Sequence, residues 1–114
     1  MLISINDKTF PLTIIRKKSS LEKGLKGKKY IEGCHLFMMG DNGMNSFWMK
    51  DCLVPLDIVF CHDNEIKKIY HDCPPCDIND CPKYEHSGNI VLEFAGGTCK
   101  NHSITEGDVF SVLM

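Results

Sequence analysis

Short runs of alternating apolar and polar residues, each cut off by Asn, Asp, Gly or Pro, recur along this chain and leave little room for helix. Leu2–Ile5 and Thr9–Ile15 flank Asn6-Asp7-Lys8 and predict a first β-hairpin. Further strands are expected at His35–Met39, Phe47–Lys50, Leu56–Phe60, Ile66–Tyr70, Asn89–Phe94 and Asp108–Leu113, with His62-Asp63-Asn64-Glu65 turning a second hairpin. One helix is expected at about Ser20 to Lys26. There Ser19-Ser20-Leu21-Glu22 matches a capping box and Gly27 supplies a stop. Residues 71–89 are rich in Pro, Asp, Cys and Asn and predict a long loop, and Thr98–Ser103 suits one helical turn. The sum is a mainly β fold: a small single-domain barrel or sandwich of six to seven short strands with one or two short helices.

A length of 114 residues gives one domain and a thin but real core. The 43% apolar and 25% charged content is ordinary for a globular chain and excludes disorder. A formal net charge of -2 makes no general case for nucleic acid or membrane, although seven of the thirteen Lys/Arg fall within residues 16–29. No stretch approaches the ~20 apolar residues that span a bilayer, and Met1–Ile5 is too short for a signal-peptide core. The expectation is a soluble, cytoplasmic protein. Seven cysteines cannot all pair within one chain. In a reducing compartment most would be buried thiols or metal ligands.

Residues 47–57 concentrate the candidate functional groups. Trp48, the only tryptophan, precedes Lys50 and Asp51, and Asp57 follows Pro55-Leu56; Glu93 sits in the later run Val91–Phe94. Lys50, Asp57 and Glu93 each lie in an apolar strand and project opposite to bulky neighbours. Charges are rarely buried alone, so these three are expected to line one polar pocket with Trp48 as a wall. Two carboxylates and a lysine there suit binding of a polar ligand, or acid–base chemistry once burial has moved their pKa values. The plainer alternative is a structural ion pair or a solvated sheet face.

A second cluster is Cys73, Cys76, Cys81 and His86, spaced C-x2-C-x4-C-x4-H. Thiolate and imidazole ligands in one short loop suit tetrahedral zinc. A Cys76–Cys81 disulfide and free thiols are the competing readings, and no other cofactor is expected. Cys52 or Cys99 as a nucleophile would need a base that the sequence does not supply, so inert thiols are expected. The basic segment 16–29 reads as a solvated helix edge because no aromatic residues interleave it, and nucleic acid is not expected as a partner. Asn101-His102-Ser103 is a glycosylation sequon without a secretory context.

Lys23-Gly24-Leu25, Phe47 to Lys50, Pro55-Leu56-Asp57-Ile58, Pro74-Pro75-Cys76, Cys81-Pro82, Tyr84, Val91-Leu92-Glu93, Gly96 and Gly107-Asp108 follow one another in a specific order. In that order and spacing the chain resembles the family called domain of unknown function 192, met in bacteria, archaea and phages. The resemblance covers about Leu21 to Val112. It implies a compact, mostly β fold with a barrel-like core and a short helix, and it carries over no established enzymatic activity. Asp51 and Cys52 stand where the family usually has Asn and Thr, and Lys26 where it usually has Met. Cys73 falls at a usually aliphatic position, which weakens the zinc set. Cys76 and Cys81 match family positions, which implies a disulfide or loop staple.

The functional expectation is a non-enzymatic β domain that binds a polar small molecule or a protein partner through Trp48, Lys50, Asp51, Asp57 and Glu93. The rivals are a hydrolase or transferase using these carboxylates, with Lys50 as electrostatic stabiliser, and a zinc-stabilised interaction module.

Overall fold

Asn6 and Asp7 both adopt positive φ (53° and 64°), which is the backbone a two-residue hairpin requires. They join strand β1 (Leu2–Ile5) to β2 (Lys8–Ile15), with Ile5 opposite Lys8. The computed structural model describes residues 1–114. After β2 come helix α1 (Lys18–Lys23) and strands β3 (Cys34–Met38), β4 (Met44–Trp48), β5 (Leu56–His62), β6 (Glu65–Cys73), β7 (Lys83–Ser87) and β8 (Ile90–Ala95). Helix α2 (Thr98–Asn101) and strand β9 (Phe110–Leu113) complete the chain. Seven strands form one curled half-barrel sheet in the order β6-β5-β8-β3-β2-β1-β9, and β4 and β7 pair as a separate ribbon. The two sheet edges approach each other: the Ile66 amide donates to the Asp108 carbonyl at 2.8 Å, and the Phe110 amide to the Asn64 carbonyl at 2.9 Å.

One pairing matters most for the site. β2 and β3 are parallel, whereas every other strand pair is antiparallel. Parallel neighbours cannot be joined by a tight turn, so the chain must cross back before re-entering the sheet. Residues 16–33, including α1, make that crossing and cover part of one sheet face. Re-entry is tight: Gly33 has φ 66°, and a Cβ there would run into the Pro11 carbonyl.

The central strands bury both faces. Inside the curl, Ile3, Ile5, Leu36, Val59, Leu92 and Phe94 belong to one hydrophobic cluster. On the other face Phe37, Ile58, Phe60 and Val91 pack with Leu25 of the crossing segment, Met49 and Cys52. This explains why β5 is buried at six of its seven residues and shows no in–out alternation of polarity. The ribbon covers the outer cluster through edge-to-face aromatic pairs. Phe47 meets Phe37 and Phe60 at 5.7 and 5.8 Å between centroids, and Tyr84 meets Tyr70 at 5.3 Å.

The mainly β half-barrel agrees with the reading of the sequence, but nine strands replace the expected six or seven. β7 lies within the expected loop 71–89. Its exposed Lys83 and Glu85 alternate with half-buried Tyr84 and His86, a pattern too polar to stand out among Pro and Asp. The capping box does not form. α1 starts at Lys18, so Ser19 and Ser20 lie inside it; its N-cap is Lys17 without a side-chain bond, and Gly24 rather than Gly27 ends it. No helix is long and apolar enough to cross a membrane.

Candidate functional site

Register separates the two carboxylates that the sequence groups together. On the paired strands β5 and β8, Asp57 lies opposite Phe94, whereas Glu93 lies opposite Ile58. Cross-strand partners share a face and neighbours along a strand alternate. Asp57 therefore points with Phe94 into the inner cluster, and Glu93 points with Ile58 toward the outer one. One polar pocket holding both is ruled out by the pleat.

Asp57 is fully buried and fully occupied. Its Oδ1 accepts the amides of Asp72 (2.8 Å) and Gly97 (3.2 Å), and its Oδ2 accepts the amide of Cys99 (2.8 Å). The carboxylate ties together the end of β6, the turn after β8 and the start of α2. Three donors to one buried carboxylate make a structural clamp, with no lone pair aimed at solvent.

Glu93 is the opposite case. It is 4% exposed, no protein donor reaches its carboxyl oxygens, and they face a cleft instead of being sealed. Burial alone pushes its pKa up to about 8, so at neutral pH the group is largely the uncharged acid. The cleft holds about 180 Å³. Leu21, Lys23, Gly24, Leu25 and Lys26 of the crossing segment form one side, and Ser46, Phe47 and Trp48 of β4 form the other. Met39 and Cys52 complete it. Trp48 is 39% exposed at its edge, and the ammonium of Lys83 sits 5.6 Å from the ring centroid. His35, the register partner of Glu93 on β3, lines a neighbouring depression with Thr13 and Lys28.

Of the expected pocket residues, the structure unites Glu93 with Trp48 and separates the other three. Lys50 turns away: its Nζ donates to the Asp77 carbonyl at 3.0 Å and lies 3.9 Å from Asp51 Oδ1. Asp51 uses its backbone, its amide donating to the Cys76 carbonyl and its own carbonyl accepting from Gly27, while its side chain is exposed. Lys50 and Asp51 thus dock the cysteine loop onto the end of the crossing segment.

The expected zinc set does not assemble. Cys76 and Cys81 are joined as a disulfide, the Cys73 thiol donates to the Tyr70 carbonyl at 3.5 Å, and His86 Nδ1 lies 2.8 Å from the Ser87 carbonyl. No three His, Cys, Asp or Glu side chains gather as a metal site anywhere in the chain. The thiols are also poor nucleophiles. Burial, reinforced by the charge of Glu93, pushes Cys52 up to about 11, and burial together with Asp57 raises Cys99 further.

Leu25, Lys26, Ser46 and Met39 carry no chemical signature in the sequence, and they were missed as site residues. They meet Glu93 only because the β2–β3 crossing lays residues 16–33 beside β4. Phe47 serves both the outer cluster and the cleft wall.

Two solved structures match this fold closely. A crystal structure of a protein of unknown function from Novosphingobium aromaticivorans superposes with a TM-score of 0.86 at 23% identity, covering 97% of this chain and 84% of that one. A protein from Sinorhizobium meliloti described as a candidate transcription regulator gives a TM-score of 0.85 at 22% identity, covering 96% of this chain and 91% of that one. At these identities the likeness is one of fold. No curated protein sequence matches the chain. The family model DUF192, described as "Uncharacterized ACR", matches residues 1–112. With nearly its whole length matched, the chain belongs to the DUF192 family.

Proposed function

We propose that this chain is a small-molecule-binding domain and that its site is the Glu93 cleft. One observation carries the reading. A carboxyl in the middle of a central strand is almost wholly buried, has no hydrogen-bond partner in the protein, and reaches solvent through a cavity. Buried polar groups in folded proteins are paired as a rule, and each exception calls for a cause. A ligand that bonds to Glu93 supplies that cause. The cleft, at about 180 Å³, is smaller than the usual drug-sized pocket and exceeds the ~150 Å³ that holds a benzene molecule in an engineered core. The ligand is therefore a single ring or the tip of a larger molecule.

Catalysis by paired carboxylates finds no support in this geometry, because Asp57 and Glu93 occupy opposite faces and Lys50 faces neither. The test is an amide-resolved NMR titration with a panel of sugars, nucleotides and organic acids. At least one class should move the resonances of Leu25, Ser46, Trp48 and Glu93 together, and Glu93→Gln should weaken the effect. A panel in which no member shifts that set, or in which Glu93→Gln binds as well as the wild type, removes the proposal.

A further inference from the structure

The lining of the cleft narrows the ligand class further, on the premise that the Glu93 cleft is a binding site. Six of its twelve lining residues are apolar, among them Met39, Phe47, Trp48 and Leu25. The polar lining groups, Glu22, Lys23, Lys26, Ser46 and Glu93, leave an apolar wall of Met39, Phe47 and Trp48. It suits the face of a flat hydrocarbon ring. At the floor stands one group, the Glu93 carboxyl. In its acid form a carboxyl both donates and accepts a hydrogen bond, which matches a ligand hydroxyl that does the same. At the mouth stand Lys23, exposed, and Lys26, half-buried, and neither is engaged in an ion pair. Glu22 is the only other charge on the rim. Beyond the mouth, Lys28 and Lys29 extend the same sign of charge along the crossing segment.

From this arrangement, one buried carboxyl within and two ammonium groups without, we infer that the cleft takes a monocyclic aromatic acid carrying a ring hydroxyl. The ring lies against Trp48, Phe47 and Met39. The hydroxyl exchanges hydrogen bonds with Glu93, and the carboxylate stays at the mouth between Lys23 and Lys26. A negative charge is excluded from the floor, where no cation or amide would balance it. It is favoured at the mouth, where two ammonium groups share it with solvent.

Trp48 is the only tryptophan and lies in the wall, so its fluorescence reports occupancy directly. The experiment titrates the full chain at pH 6.5 with 4-hydroxybenzoate, benzoate, 4-hydroxybenzamide and glucose. 4-Hydroxybenzoate should quench Trp48 most tightly. Benzoate, lacking the floor hydroxyl, and 4-hydroxybenzamide, lacking the charge, should each bind about 5-fold more weakly, the effect expected of one net hydrogen bond or one partly screened charge pair. Glu93→Leu should erase the advantage of 4-hydroxybenzoate over benzoate, and the double variant Lys23→Ala, Lys26→Ala should erase its advantage over the amide. Equal binding of acid and amide, or of hydroxylated and plain ring, overturns the inference. Binding of glucose without the aromatic acids also overturns it, yet leaves the Glu93 cleft standing as a site. Should no member of the NMR panel reach the cleft, both readings fall.

Discussion

Glu93 should make this protein less stable as pH rises, and one substitution isolates the effect. Its carboxyl goes from an ordinary value of 4.5 when exposed to about 8 in the folded chain, raised by burial. Below pH 4.5 the acid is protonated in both states, and folding carries no penalty. Between pH 4.5 and 8 the unfolded chain releases a proton that the folded chain retains, so stability falls steadily across that window. The interval, at about 1.4 kcal/mol per pH unit, sets a ceiling of ~5 kcal/mol above pH 8. Near pH 7 the loss is about 3 kcal/mol, a large share of the 5–15 kcal/mol that holds a domain of this size together. Glu93→Gln keeps the shape and removes the titration. Urea unfolding of both proteins at pH 5 and pH 8 should show the wild type losing about 3 to 4 kcal/mol more than the variant over that step. The difference between the curves excludes the other groups around the cleft. His35 across the sheet, whose pKa burial lowers, is present in both proteins, and Cys52, pushed up to about 11, stays a thiol across this window. Parallel pH profiles for the two proteins would refute the reasoning, since they would mean that Glu93 is solvated or paired when folded.

Three further outcomes test the remaining structure. Asp57→Ala removes the acceptor of three backbone amides and should cost about 3 to 5 kcal/mol by chemical denaturation, the range for stranding partners of a buried charge; a loss under ~1 kcal/mol would show that the clamp is not needed. Replacing Cys76 and Cys81 by Ser opens a short loop and should lower stability by about 2 kcal/mol under non-reducing conditions, as loop-closure entropy gives for so few residues. The same variant should free Lys50 from the Asp77 carbonyl, visible as a change in its side-chain exchange by NMR. Gly33→Ala meets both a positive φ and the Pro11 carbonyl, so it should cost about 2 kcal/mol or more, and a thermal midpoint equal to the wild type would argue against parallel entry of β3 as described.

The sequence carried the elements better than their arrangement. Hairpins with Asn or Asp at their tips, such as Asn6-Asp7 and Asp63, announce themselves because those residues tolerate the left-handed backbone that tight turns need. The ribbon was legible only in part: the expected strand Phe47–Lys50 overlaps the end of Met44–Trp48, whereas its partner Lys83–Ser87 alternates exposed with half-buried residues in a pattern too polar to stand out. The β2–β3 crossing was also out of reach, since nothing local tells a chain whether its next strand will run parallel or antiparallel. That crossing is what brings Leu25 and Lys26 to Glu93. The cysteine loop was partly legible: spacing made Cys76 and Cys81 neighbours, but a disulfide and a metal set read alike until Cys73 and His86 are seen bonded elsewhere.

Asp57 and Glu93 show why the site itself was only half readable. Each is a carboxylic acid in a central strand, flanked by apolar residues that face the other way, and the sequence gives them the same signature. What separates them lies far along the chain. Asp72 and Gly97 both adopt positive φ, 51° and 91°, and each of those turns aims a backbone amide at Asp57. No such turn serves Glu93. One carboxylate is thereby spent on holding β6, β8 and α2 together, and the other is left with a cavity in place of a partner. A buried acid with its donors is architecture. The same acid without them lowers stability at neutral pH and yields nothing to the fold, and on the proposed reading its use lies in what enters the cleft.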